Sequence, residues 1–125
     1  MRAAILLCIA LLPPVAAQPV KEAPWMTGEL LLKMVTYRAG VKNNFDLTPD
    51  EYVNAERARA YIEGVHDMSE GKDWCYSRRY EPGPDALLDD IYVGLRKLPP
   101  QLLKRNGADL IVEIWRRKWP CPYRR

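Results

Sequence analysis

The sequence predicts an all-α fold: a compact bundle of about four helices, held by one disulfide and preceded by a cleaved signal peptide. Three observations carry that expectation. Apolar residues recur at spacings of three and four from Leu31 onward, and no alternating strand pattern of useful length interrupts them. Helix starters and stoppers bracket each such stretch, and two of the three cysteines, Cys75 and Cys121, lie outside an N-terminal apolar run.

That run, Ile5 to Leu12, follows Arg2 and precedes Pro13-Pro14-Val15-Ala16-Ala17. A short positive region, an apolar stretch and small residues at a Val-x-Ala site make a secretory signal peptide, cut after Ala17. A membrane span needs about twenty apolar residues, and the two prolines end this run well short of that. A lipid anchor on Cys8 fits poorly too, because such a cysteine normally follows the apolar region instead of lying inside it. The expected organisation is therefore a signal peptide over 1–17 and one helical domain over 18–125, with no stable membrane insertion.

Gln18 to Pro24 reads as an extended arm ending at Trp25. Thr27 caps the first helix, with Glu29 in its first turn, Leu31, Met34, Val35 and Arg38 on one face, and Gly40 as its stop. The polar stretch from Val41 to Leu47 leads to Thr48-Pro49-Asp50-Glu51, a capping box with proline at the first helical position, so a helix must begin there. Ala55, Ala58, Tyr61, Ile62, Val65 and Met68 form its expected buried stripe, as far as about Ser69. Gly64 falls within that stripe at a cost of about 1 kcal/mol relative to alanine, which suggests either close approach of another backbone or simple tolerance.

Gly71 breaks the pattern, and Lys72 to Gly83 is a long connection carrying Trp74, Cys75, Tyr76 and Tyr80. Pro84 starts a third helix whose core face is Leu87, Leu88, Ile91, Leu95 and Leu98, ended by Pro99-Pro100. The last element begins weakly at Gln101 or, with a better cap, at Asn106. Ala108, Ile111, Val112, Trp115 and Trp119 then recur at helical spacing before Pro120.

Nineteen Lys and Arg against sixteen Asp and Glu give a formal net charge of +3, too mild to argue for nucleic acid. Arg116-Arg117-Lys118 and Arg124-Arg125 complement the negative end of a last helix, or else form a patch for an acidic partner. Export places Cys75 and Cys121 in an oxidising space, where the expected outcome is a disulfide worth roughly 4 kcal/mol. Two thiols and the single histidine, His66, give no zinc-type ligand spacing, so neither metal nor cofactor is expected.

The best catalytic grouping is Glu63, His66 and Asp67, close enough on one helix to meet on its solvent side. Such groupings are common on solvated faces, and the sequence shows no serine nucleophile near a base, no second histidine and no glycine-rich phosphate loop. Asp89-Asp90 is a second acidic pair, read as solvent-facing or as partners of nearby arginines. A binding protein fits better than an enzyme.

Tyr61-Ile62-x-Gly64-Val65-x-Asp67, then Cys75, Leu95 and Pro99, Ala108, Ile111-Val112, Trp115 and the closing Trp119-Pro120-Cys121 resemble the Rap/Tai family. These are exported immunity proteins that protect bacteria from effectors of their own type VI secretion system. The resemblance runs from about Trp25 to Cys121 and implies a small all-helical periplasmic protein that binds and blocks a secreted effector, commonly a peptidoglycan amidase. Some members pair as homodimers. The family often places two further cysteines where this chain has Met34 and Ala58, so the resemblance implies loss of one of two disulfides, with Cys75–Cys121 retained.

Within that pattern Tyr61, Gly64, Asp67, Trp119 and Pro120 are read as structural positions. Partner contacts are expected from loops on the rigid scaffold: Trp74, Tyr76, Arg78, Arg79 and Tyr80 first, then Asn44 and Phe45. Two other readings compete with immunity. One is a periplasmic stress chaperone resembling the small helical acid-stress proteins, and the other is an enzyme using Glu63, His66 and Asp67.

Overall fold

In the computed structural model, which describes residues 23–36, 46–76 and 83–122, each described helix begins at a side-chain cap or at a proline in its first turn. Helix α1 spans Gly28–Val35, α2 Pro49–Ser69, α3 Pro84–Arg96, α4 Pro100–Leu103 and α5 Gly107–Lys118. Among the described residues there is no β-strand, only two isolated bridges. The fifth helix relative to the sequence expectation is α4, a single turn opened by Pro100; the better cap, Asn106, opens the main helix.

The caps show why the boundaries fall where they do. Thr27 Oγ1 accepts from the Leu30 backbone at 3.2 Å, and Asn106 Oδ1 accepts from that of Ala108 at 2.8 Å. At α2 the capping box is complete: Glu51 N–H donates to Thr48 Oγ1 at 3.3 Å, while Thr48 N–H donates to Glu51 Oε2 at 2.9 Å. Two otherwise orphaned donors are thereby satisfied. Gly71, with φ of 76°, turns the chain out of α2, and its N–H returns to the Trp74 carbonyl at 2.8 Å.

The starts of α1 and α5 lie side by side. Gly28 N–H donates to the Arg105 carbonyl at 3.1 Å and Gly107 N–H to that of Met26 at 2.8 Å, an antiparallel exchange centred on Thr27 and Asn106. Both glycines suit this close approach. A Cβ on Gly28 would collide with Leu110, and one on Gly107 would sit 3.2 Å from the Met26 carbonyl oxygen.

From this pairing α1 and α5 form the centre of the molecule. Helices α2 and α3 each pack against both of them, and hardly against one another. The core is Leu31, Met34 and Val35 of α1, Ala58 and Ile62 of α2, Leu87, Leu88, Ile91 and Leu95 of α3, and Leu110, Ile111 and Trp115 of α5. The periodic stripes therefore point inward as expected, with three differences. Leu110, absent from the predicted stripe, is buried because α1 crosses the first turn of α5; Met68 is 70% exposed because, six residues after Ile62, it lies off the face that Ala55, Ala58, Ile62 and Ser69 bury. Arg38 and Gly40 lie outside the described residues.

Gly64 is the third difference in the stripe, and of its two readings simple tolerance is the one that holds. It is exposed, and a Cβ there would meet nothing within 4 Å, so no backbone of this chain approaches it. Tyr61, by contrast, is half-buried against the start of α5. Burial pushes its phenol above the ordinary value, reinforced by Asp109 and partly offset by a backbone hydrogen bond at Ala108.

Candidate functional site

The disulfide joins Cys75 to Cys121 across 46 residues of sequence, tying the turn after α2 to the end of α5. A backbone hydrogen bond from Cys75 N–H to the Trp119 carbonyl, 2.9 Å, runs beside it. The Trp119 indole in turn donates to Asp90 Oδ2 at 3.3 Å, and Lys118 pairs with the other oxygen of that carboxylate. Asp90 is thus not a solvent-facing acid, nor an arginine partner. Its side chain is 11% exposed and clamps α3 to the last turn of α5.

Pinned in this way, the turn inserts Trp74 into the core. Its rings stack at a tilt on Trp115, with centroids 4.7 Å apart, and its Nε1–H donates to Ser69 Oγ at 2.8 Å. Ser69 passes the bond on to the Val65 carbonyl at 2.6 Å, which explains a fully buried serine in an apolar setting. The expectation that Trp74 contacts a partner is therefore corrected. Trp74 has no exposed surface, because the disulfide and the Gly71 turn fold it beneath His66 and Tyr76.

His66 sits above that pair, edge-on to Trp74 at 5.4 Å and to Trp115 at 6.1 Å. Its two nitrogens are both engaged: Nδ1 with Asp67 Oδ1 at 3.1 Å, and Nε2 with the Tyr76 hydroxyl at 2.5 Å. Since a carboxylate accepts, Nδ1 is the donor toward Asp67, and in the Nδ1–H tautomer Nε2 accepts from the Tyr76 hydroxyl. The predicted meeting of Glu63, His66 and Asp67 on the solvent side is only partly realised. His66 is about a third exposed, and Glu63 turns to Arg59 at 3.5 Å instead.

Because α2 and α3 are splayed, a cleft of about 300 Å³ opens between them beside this chain of hydrogen bonds. Ile62, Leu87, Leu88 and Trp115 form its apolar floor, His66 and Tyr76 one wall, and Arg59, Glu63, Asp67 and Asp85 its rim. Sequence reasoning missed Arg59 and Asp85. The signal for the first was available: Arg59, Ile62, Glu63 and His66 follow at three, four and seven residues, one continuous stripe along α2.

The remaining predicted site residues divide clearly. Tyr76 is half-buried in the cleft wall, and Asp67, read from sequence as structural, is an exposed rim residue with its side chain 83% accessible. Trp119 is half-buried against the core, whereas Pro120 is exposed. Arg78, Arg79, Tyr80, Asn44 and Phe45 lie outside the described residues. No group of three or more His, Cys, Asp or Glu among the described residues is arranged to hold a metal ion.

The family model of Rap1a immunity proteins matches residues 27–121, from the cap of α1 to the second cysteine of the disulfide. The chain belongs to the Rap1a immunity protein family. No individual curated protein is matched at a significant level. The match takes in every helix described above, the disulfide and the cleft, so the interface that an immunity protein needs is to be sought on this one domain. Within this span the cleft between α2 and α3 combines an apolar floor, a wall of His66 and Tyr76 and a charged rim.

Proposed function

We propose that this Rap1a-family chain is exported to the periplasm after removal of residues 1–17, and that it neutralises a toxic effector of a type VI secretion system by direct protein binding. The effector class favoured is a peptidoglycan amidase, the target commonly met in the family it resembles. The observation that carries this reading is the family match over 27–121. The bridge between Cys75 and Cys121 supports the oxidising compartment, since such bonds persist outside the cytosol. Among the described residues no helix is long and apolar enough to cross a membrane.

A binding role also fits the division of labour in the fold. The disulfide, Trp74 and Trp115 make the end of α2 rigid, and rigid presentation limits the entropy lost on association. The test is a toxicity rescue. Type VI amidase effectors of the source bacterium are directed, one at a time, to the periplasm of a susceptible bacterium, with and without this protein. Growth restored only when the protein carries its leader supports the reading; lysis at an unchanged rate despite abundant, folded protein refutes it.

A further inference from the structure

We infer that the bond between Cys75 and Cys121 is closed on a domain that has already folded: contacts that need no sulfur bring the two thiols together, and oxidation then locks them in place. The bond acts as a lock fitted last, whatever partner the domain binds.

Each cysteine lies near an anchored tryptophan. Trp74, next to Cys75, is fully buried, stacks on Trp115 with centroids 4.7 Å apart and donates its indole N–H to Ser69 Oγ at 2.8 Å. The turn that delivers it is closed by backbone alone, with Asp73 N–H on the Ser69 carbonyl at 2.9 Å and Gly71 N–H on that of Trp74 at 2.8 Å. Trp119, close before Cys121, donates its backbone N–H to the Trp115 carbonyl at 2.6 Å and its indole N–H to Asp90 Oδ2 at 3.3 Å. The Cys75 N–H then crosses to the Trp119 carbonyl at 2.9 Å. Both anchors rest on Trp115, and every one of these contacts is open to a chain with free thiols.

The bond and the fold support each other equally. Whatever factor the closed loop adds to folding, folding adds to closure of the loop, because the two steps share one thermodynamic cycle. For a separation of 46 residues the loop-closure loss corresponds to roughly a thousandfold. The folded domain therefore favours disulfide over dithiol roughly a thousandfold more than the unfolded chain does, equivalent to about 90 mV for a two-electron couple.

The oxidant is itself a disulfide, of glutathione or of a dithiol protein. One cysteine thiolate attacks it and displaces a thiolate. The second cysteine thiolate then attacks the mixed disulfide at the sulfur of the first, so that two electrons pass to the oxidant, which leaves as two thiols carrying the two protons.

The test uses the full chain carrying Cys8→Ser, in which Cys75 and Cys121 are the only thiols. Its near-UV circular dichroism is recorded oxidised and after reduction with excess phosphine. The same tryptophan signal is expected in both, and loss of that signal on reduction overturns the inference. The protein is then equilibrated in glutathione buffers, with and without enough urea to unfold it, and free thiols are counted by alkylation. The midpoint ratio of reduced glutathione squared to glutathione disulfide is expected to be roughly a thousandfold higher without urea. A difference below about tenfold overturns the inference, because such thiols are not held together by the fold.

Discussion

Replacing Cys75 and Cys121 together by alanine removes the covalent link between the turn after α2 and the end of α5 without leaving a lone thiol. The bridge closes 46 residues of sequence. In the chain-entropy treatment a loop of that length restricts the unfolded ensemble by about 4 kcal/mol at 25 °C. The native side of the balance changes less, because the hydrogen bond from Cys75 N–H to the Trp119 carbonyl and the packing of Trp74 on Trp115 do not depend on sulfur. Against a total of about 5–15 kcal/mol for a domain of this size, the loss is large but not fatal. It corresponds to a fall in melting temperature on the order of 20 °C. Thermal melts of wild type and C75A/C121A, followed by far-UV circular dichroism, read it directly. A fall below about 5 °C would refute the entropic reasoning, and so would complete loss of helical signal at 25 °C.

Three further outcomes follow from individual residues. Trp74→Ala empties the centre of the aromatic cluster and is expected to cost about 3–5 kcal/mol, whereas Trp74→Phe costs less because a ring still packs on Trp115 and leaves a smaller cavity; melting curves separate them. Gly64→Ala should stabilise by about 1 kcal/mol, since the site is helical, exposed and open, and a lower melting temperature would contradict that. Hydrogen bonding to Arg105 holds the Glu113 carboxyl below its ordinary range, against the opposing effect of burial. The pair therefore contributes stability above the ordinary carboxylate value, and this is lost as pH falls through the depressed one. NMR titration of the Glu113 carboxyl should move upward in Arg105→Ala, and no movement would remove the assigned cause.

Much of the fold was legible because its determinants are local. Thr48 to Glu51 specifies a helix start through bonds made within four residues, and the stripes of α3 and α5 are set by period alone. The pairing of Cys75 with Cys121 followed from compartment and count. What stayed hidden is placement relative to the core. Leu110 and Met68 were misassigned within legible stripes: Leu110 shares the inward face of α5 with Gly107, Ile111 and Trp115, while Met68, six residues after Ile62, falls off the inward face of α2. Trp74 misled for a related reason: in sequence it is an aromatic in a polar connection, and only the turn at Gly71 shows that it folds inward. The cleft was legible in half. Its α2 side is one stripe of sequence, but Asp85 joins it only because α2 and α3 both lean on α5.

The central claim is that this Rap1a-family domain neutralises an enzyme by binding it. Calorimetric titration of the purified protein into type VI amidase effectors of the source bacterium, with residual hydrolase activity read on the same samples, tests that claim most directly. The account predicts saturable binding with Kd on the order of 10⁻⁷ M or tighter, and activity that falls in step with occupancy. Absence of binding heat at micromolar concentrations, with hydrolysis undiminished, would contradict it.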